Sequence, residues 1–430
     1  MKSTIPALFL LALAAGIPLQ GQEDASFSGF QFNRSLPGAR SLGLGGAFVA
    51  LANDATAAYS NPAGLTLLES PEVALEARHW DTATRYTARG DATVGSAFRP
   101  SDFEIESTKN YTAGPSFASF VYAKPRARWA VAVYRHLLID FQSRFSSFGV
   151  RKNEEELFGP LDFSTDLEIV NFGVSGSFRI NDSLRVGLGA SFYDFQLRSR
   201  QIIRNPAFTL VAGKEGDDSE IDLNLGVLWE INPVWTLGAA YRRGPEFEMN
   251  ECFPSPGRPC FSGGERGERP GGFDVISEFH VPDQLALGIA FQPKDNLTFL
   301  FEYDRIEYSA LLEGNRLGGF TADGQSYRFL LEDANEFRVG VEYLIPRSRG
   351  ESISVMLGSW YDPDHTITFQ EEGRGESIRL RRAYFLPTGD DEIHLCAGLE
   401  ANLGRYQVNL GVDHSDRIGT LALSTVVRIK

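Results

Sequence analysis

Apolar and polar residues alternate at period two along most of the chain. In LRVGLGASFY (184–193), Leu184, Val186, Leu188, Ala190 and Phe192 fall on one face, and Arg185, Gly187, Gly189, Ser191 and Tyr193 on the other. QLALGIAFQ (284–292) sets Leu285, Leu287, Ile289 and Phe291 against Gln284, Ala286, Gly288, Ala290 and Gln292. YQVNLGVD (406–413) and the terminal TLALSTVVRIK follow the same rule. Successive side chains leave a strand on opposite sides, so this pattern predicts strands with one apolar face and one small or polar face.

A soluble sandwich would bury the apolar face, whereas a membrane barrel would turn it to lipid. Three features favour the barrel. The strand-like segments are many and long, about fourteen between residue 71 and the end of the chain. Tight connections (AKPRAR, RINDS, EINPV, QPKDN, ANLGR) alternate with long polar ones at 145–160, 203–220, 245–275, 311–326 and 366–390, as in barrels with short periplasmic turns and long outer loops. The non-lipid face also carries Glu302, Arg338 and Glu342, charges that a sandwich core would not tolerate unpaired. The expected fold is therefore all-β, a transmembrane antiparallel barrel of about fourteen strands. Glu302, Arg338 and Glu342 are expected to form a paired network in its lumen, extended by Arg34 or Arg40.

The first residues have a different layout. Met1-Lys2, an apolar run from Ile5 to Gly16, Pro18 and a small residue at Gly21 form a secretory signal peptide over residues 1–21. Residues 22–70 then break the alternation. SLGLGGAFVALANDATAAYSNPAGL (41–65) is rich in Gly and Ala, and within it AFVALANDATAAYS (47–60) predicts one or two short helices of small residues. Fourteen strands enclose a lumen wide enough to need a plug, and small residues suit one. Residues 22–70 are thus expected to form a helical hatch inside the lumen, with the barrel over 71–430. Asn61, Pro62, Ala63 and Gly64 form its exit turn: Pro62 supplies no backbone donor, disfavours helix at Asn61, and Gly64 permits conformations that other residues avoid.

Composition narrows the function. A net charge of −15 argues against nucleic acid as a partner. The six histidines show no metal-ligand spacing, so neither metal nor cofactor is expected. In DHS (413–415) adjacent residues point to opposite strand faces, which opposes a hydrolytic centre, and no enzymatic activity is expected. Three cysteines make no disulfide framework; Cys252 and Cys260 flank CFPSPGRPC and are the candidate pair, leaving Cys396 over.

SGFQFNRSLPGARSLGLGGAFVALANDATAAYSNPAGL (28–65) resembles the amino-terminal hatch of the FadL family of outer-membrane transporters of long-chain fatty acids and hydrocarbons. VPDQLALGIAFQPKDNLTFLFEYDRIEYS (281–309) and NEFRVGVEYL (335–344) look like that family's middle strands. The resemblance implies a monomeric barrel of the bacterial outer membrane that contacts its lipid. It further implies a long-chain fatty acid or other hydrophobic small molecule as partner, released by hatch shifts through a gap beside a kinked third strand. Phe30 matches the family's ligand-side hatch aromatic, and Phe27, Phe30 and Phe32 are candidate ligand-binding residues. Two departures stand out: the third strand, ARWAVAVYRHLLIDF, has no glycine to kink it, and the chain ends in Lys430 rather than an aromatic residue. The alternative is a PorV-like barrel acting as a protein-secretion subunit, whose hatch is similar.

Overall fold

Fourteen antiparallel strands close on themselves in the computed structural model, which describes residues 30–34, 36–92, 102–152, 155–205, 208–253, 273–313, 318–320, 326–371 and 389–429. In chain order they are β1 (Glu72–Ala92), β2 (Phe103–Tyr122), β3 (Trp129–Ser147), β4 (Leu161–Arg179), β5 (Leu184–Asn205), β6 (Phe208–Asn232) and β7 (Trp235–Arg242), then β8 (Gln284–Lys294), β9 (Leu297–Ile306), β10 (Ala334–Pro346), β11 (Ser352–Asp362), β12 (Glu392–Leu403), β13 (Tyr406–His414) and β14 (Ile418–Arg428). Each pairs with its neighbour, and Glu72–Thr82 of β1 pairs with Ile418–Arg428 of β14 to seal the wall. Closure leaves no free sheet edge.

The facing follows the sequence pattern. Leu188, Phe192, Leu285, Leu287, Ile289, Leu421 and Leu423 are exposed on the outside, while Arg185, Ser191, Tyr193 and Ala286 are buried inside. Exposed aliphatic residues on every side and buried polar ones within are the inverse of a soluble protein and fit a lipid-facing wall. Aromatic pairs mark the rim at the short turns: Tyr122 with Trp129, ring centroids 5.9 Å apart, and Trp235 with Phe291, 4.4 Å apart. The stretch 203–220, expected as a long loop, is instead mostly strand. β5 and β6 continue their ladder to Asn205 and Phe208, raising a tall hairpin whose charged faces remain hydrogen-bonded through the backbone. A second hairpin, Glu246–Phe253 with Phe273–His280, extends the wall above β7 and β8.

The segment from Leu36 to Leu68 fills the lumen. Its helices are α1 (Ala39–Gly43), α2 (Ala57–Ser60) and a 3-10 helix over Pro62–Leu67. Residues 47–56, expected to be largely helical, are mostly turns: Phe48 N and Val49 N donate to the Glu302 carboxylate of the wall and Thr56 N to the Asp54 side chain, while Leu51 N and Ala52 N close a turn on Phe48 O. Asn61 ends α2 as expected, but it also begins the 3-10 helix: its side chain accepts from Ala63 N at 3.2 Å, with Pro62 at the first position. The chain reaches the wall only at Glu72.

Glycines let the hatch touch the wall backbone to backbone. Four cross-strand pairs line the inner face: Gly187 with Gly226, Gly238 with Gly288, Gly340 with Gly358, and Gly398 with Gly411. A Cβ on Gly411 would lie 2.2 Å from Ala39 O, one on Gly238 2.4 Å from Val49 O, and one on Gly340 2.7 Å from Leu44 O. Overpacking of this kind costs about 1–3 kcal/mol. Gly340→Ala is therefore expected to lower the stability of the folded barrel by about that amount. Gly114→Ala should leave it unchanged, since no heavy atom lies within 4 Å of the added methyl. Equilibrium unfolding in detergent by intrinsic fluorescence measures both.

Candidate ligand-binding site

A wall carboxylate can satisfy a hatch donor that no helix turn reaches. Glu302 on β9 accepts from Phe48 N at 2.7 Å and Val49 N at 2.8 Å. Glu76 on β1 accepts from Gly38 N at 2.6 Å and pairs with Arg78 at 2.8 Å. Ser175 and Ser177 on β4 donate to Ala58 O at 2.6 Å and Ala63 O at 2.8 Å. The side-chain amide of Asn61 reaches Val49 O at 2.8 Å and Val227 O at 3.1 Å, tying the exit turn to both hatch and wall. Ala63 sits against Gly187, and Gly64 packs so tightly against Ala52 O that a side chain there has no room.

Glu302, Arg338 and Glu342 all point inward, but they are not joined to one another. Arg338 pairs with Asp304 at 2.7 Å and with Glu336, donates to Gly45 O at 3.2 Å, and lies 4.3 Å over the ring of Trp360. Glu342 takes both ends of the Arg40 guanidinium, at 3.0 and 2.7 Å. Arg40 also meets Glu400 at 3.5 Å and Asp54 at 3.8 Å. The physical reason is the hatch, which stands between the wall charges and takes two of them for itself. Burial alone would lower the Arg40 pKa, but the carboxylates of Glu342 and Glu400 outweigh it and raise it, so the guanidinium stays charged. Arg34 joins a different group, donating to Tyr59 OH at 3.1 Å and Pro282 O at 2.6 Å.

The third wall strand leaves the second without a glycine. β2 and β3 are paired only from Phe117–Tyr122 with Val131–His136. Beyond His136, β3 continues alongside β4 alone, with a bulge at Leu138. An extra residue bends a strand and re-aims its side chains, which here are Leu138 and Ile139, buried toward the lumen. Beside this bend lies a cavity of about 120 Å³, walled by Phe30, Leu36, Trp80, Leu138, Phe141 and Ile418 on its apolar side. Phe30 packs edge-on against Phe141 at 5.0 Å and near Phe32 at 6.4 Å. Phe32 is fully buried behind Phe30, and Phe27 lies outside the described residues.

Other residues in this region gave no signal in the sequence. Trp360 borders the cavity and stacks on His394 at 3.7 Å, and His394 bonds Asp413 at 2.9 Å. Cys396 is free and buried; Cys252 is disulfide-bonded, and Cys260 lies outside the described residues. Among the described residues, no three His, Cys, Asp or Glu side chains are gathered to hold a metal ion.

A family model described as outer membrane protein transport protein (OMPP1/FadL/TodX) matches residues 21–347. The long-chain fatty acid transport protein of Salmonella typhi is 24% identical over 295 residues, 65% of this chain and 61% of that protein. The chain thus spans about three fifths of the length of that curated relative. Outer membrane protein P1 of Haemophilus influenzae is 21% identical over 402 residues, 82% of this chain and 80% of that one. A Pseudomonas aeruginosa FadL homologue superposes with a TM-score of 0.63 at 14% identity, covering 94% of this chain and 100% of the other. The Ralstonia pickettii toluene transporter TbuX superposes with a TM-score of 0.57 at 14% identity, covering 93% and 100%. Both structural likenesses show a shared fold.

Removing one partner of a buried ion pair leaves the other uncompensated, at a cost of about 3–5 kcal/mol. Arg40→Gln should therefore destabilise the barrel by about that much, and the double change with Glu342→Gln should recover part of the loss. Denaturant titration of the two variants beside the parent reads both quantities.

Proposed function

Because the chain belongs to the OMPP1/FadL/TodX family of outer-membrane transport proteins, we propose that it carries long-chain fatty acids or other hydrophobic small molecules across the bacterial outer membrane, as a monomer. One observation carries this reading: an apolar cavity set inside a polar lumen, at the place where the third strand leaves the second. An open porin would need a water-filled passage there, whereas this lumen is occupied by the hatch. In the proposed path, a ligand entering from the outer loops settles against Phe30, Leu138 and Phe141. It leaves sideways between β2 and β3 into the membrane, past the bend rather than through the glycine-locked hatch. A closed wall within a single chain supports the monomer. The family match favours transport and gives no support to the secretion-subunit alternative.

The ligand contacts make two predictions. Burying a methylene gains about 0.8 kcal/mol, so a longer acyl chain depends more on an aromatic wall. Phe30→Ala should weaken binding of a long-chain fatty acid by about tenfold and of a short one by much less, in a fluorescent fatty-acid titration. Equal weakening of both, or no saturable binding to the parent protein, would sink the reading. Deleting Leu138 removes the bulge and straightens the β3–β4 ladder. Uptake by cells carrying that deletion should fall by more than the lost Leu138 contact weakens binding to the purified protein; unchanged uptake would exclude the sideways exit.

A further inference from the structure

Charges at the short turns of this barrel are mostly matched. Arg179 meets Asp182 at 3.9 Å below β4, Arg185 meets Glu230 at 3.0 Å between the feet of β5 and β6, and Arg428 meets Glu72 at 3.3 Å at the seam. The turn from β2 to β3 departs from this. AKPRAR (123–128) holds Lys124, Arg126 and Arg128 and no acid. All three are exposed, and among the described residues no carboxylate lies within ion-pair distance of any of them. In a chain of net charge −15, three unmatched cations in one tight turn are a local reversal of sign.

The backbone fixes where these cations stand. Ala127 N closes the turn on Lys124 O at 3.1 Å, and Arg126, after Pro125, has φ +60°. Proline followed by a positive φ is a type II turn, whose third position ordinarily takes glycine. Arg126 is the one non-glycine residue with a positive φ among the described residues, so this turn carries a guanidinium where glycine would fit without strain. The neighbouring turn pins it: the Arg179 side chain donates to Arg126 O at 3.0 Å, and Arg179 N to Arg128 O at 2.8 Å. Lys124 lies 5.3 Å from the Tyr122 ring, which is 5.9 Å from Trp129 at the rim of the lipid-facing wall. Trp129 opposes Phe178 across β3 and β4, and both are about half exposed, as are Phe120 and Ile180. Unmatched cations thus adjoin an outward apolar surface. A ligand with an anionic head and apolar chains fits both: phosphate oxygens suit guanidinium and ammonium donors, and the chains lie on the wall.

We infer that Lys124, Arg126 and Arg128 form a binding site for the phosphate head group of an anionic phospholipid, whose acyl chains lie along Phe120, Trp129 and Phe178. The site is on the outside of the wall, at the rim of the short turns, apart from the cavity within. It stands at the foot of the stretch where β2 and β3 pair, Phe117–Tyr122 with Val131–His136, so a bound lipid braces the hairpin whose upper strands part.

The experiment is native mass spectrometry of the full protein in a mild detergent, with lipid added at about 0.15 M ionic strength, where distant exposed charges are screened. Dioleoylphosphatidylglycerol and dioleoylphosphatidylcholine have the same chains and differ in net charge. The parent protein should bind the anionic lipid at least about tenfold more tightly. Lys124→Gln, Arg126→Gln and Arg128→Gln together should bring the two lipids level by weakening the anionic one alone. Arg126→Gly, which relaxes the turn while removing one charge, should lose part of the preference. Arg347→Gln with Arg405→Gln, at other short turns, should keep it in full. Equal binding of the two lipids by the parent overturns the inference, as does a triple variant that keeps the preference. Displacement of the lipid by millimolar inorganic phosphate assigns the turn to a free anion, and displacement by polyglutamate assigns it to an acidic protein; either overturns the inference. The comparison of lipids on the parent decides even where a variant fails to fold. The transport reading is tested separately, by the fatty-acid titration, and stands or falls without this site.

Discussion

How closely one backbone can approach another decides the interior of this protein. A fourteen-stranded wall is too wide for its own side chains to fill, so a separate segment has to occupy the lumen. That segment is itself built of small residues, and the wall meets it with paired glycines such as Gly340 and Gly358. Hatch carbonyls from Ala39, Leu44 and Val49 then rest directly on strand backbones. The contact gives dense packing, but it also traps peptide groups away from water, where each needs a partner. Glu302, Glu76, Ser175, Ser177 and Asn61 supply those partners.

The charge pattern follows from the same closeness. Once Glu302 is committed to hatch N–H groups, Arg338 turns to Asp304 and Glu336, and Glu342 is left for Arg40. Side chains that face each other across strands, as Glu302 and Arg338 do, pair elsewhere because the hatch competes for them. Acids are thus largely consumed on the β9–β12 side of the lumen. Among the described residues, the arginines near Tyr59 are left without acids, and one of them, Arg34, lines the cavity beside the bend in β3.

The wall was legible because its physics is one-dimensional. Alternation fixes which side chains of β5, β8, β13 and β14 face lipid, and it placed Gly187, Gly288 and Gly411 inward without any structure. Phe30, expected as a ligand contact from its position in the hatch, borders the cavity. The bend in β3 was not, because it comes from one extra residue, Leu138, within an unbroken run of strand-forming residues; the absent glycine pointed the wrong way. The tall hairpin within 203–220 was hidden by polar composition, which reads as loop although its described strands pair from Asn205 and Phe208 downward. Nor did propensity reveal the turns in 47–56, where Glu302 lies more than two hundred residues away in sequence. Arg34 carried no signal beyond its charge, since its meaning depends on acids that the fold fails to place beside it.

The paired glycines have a consequence for biogenesis. The hatch precedes the wall in the chain, and its contacts run from Gly187 on β5 to Gly411 on β13. At those points the gap between hatch and wall is narrower than a methyl group. A finished barrel would offer no clearance through which such a segment could be threaded, so the strands have to wrap around a hatch already in place. The seam between β1 and β14 is then the last joint to be made. A circular permutant that delivers the hatch after the final strand should consequently fail to assemble, although its mature contacts would be identical.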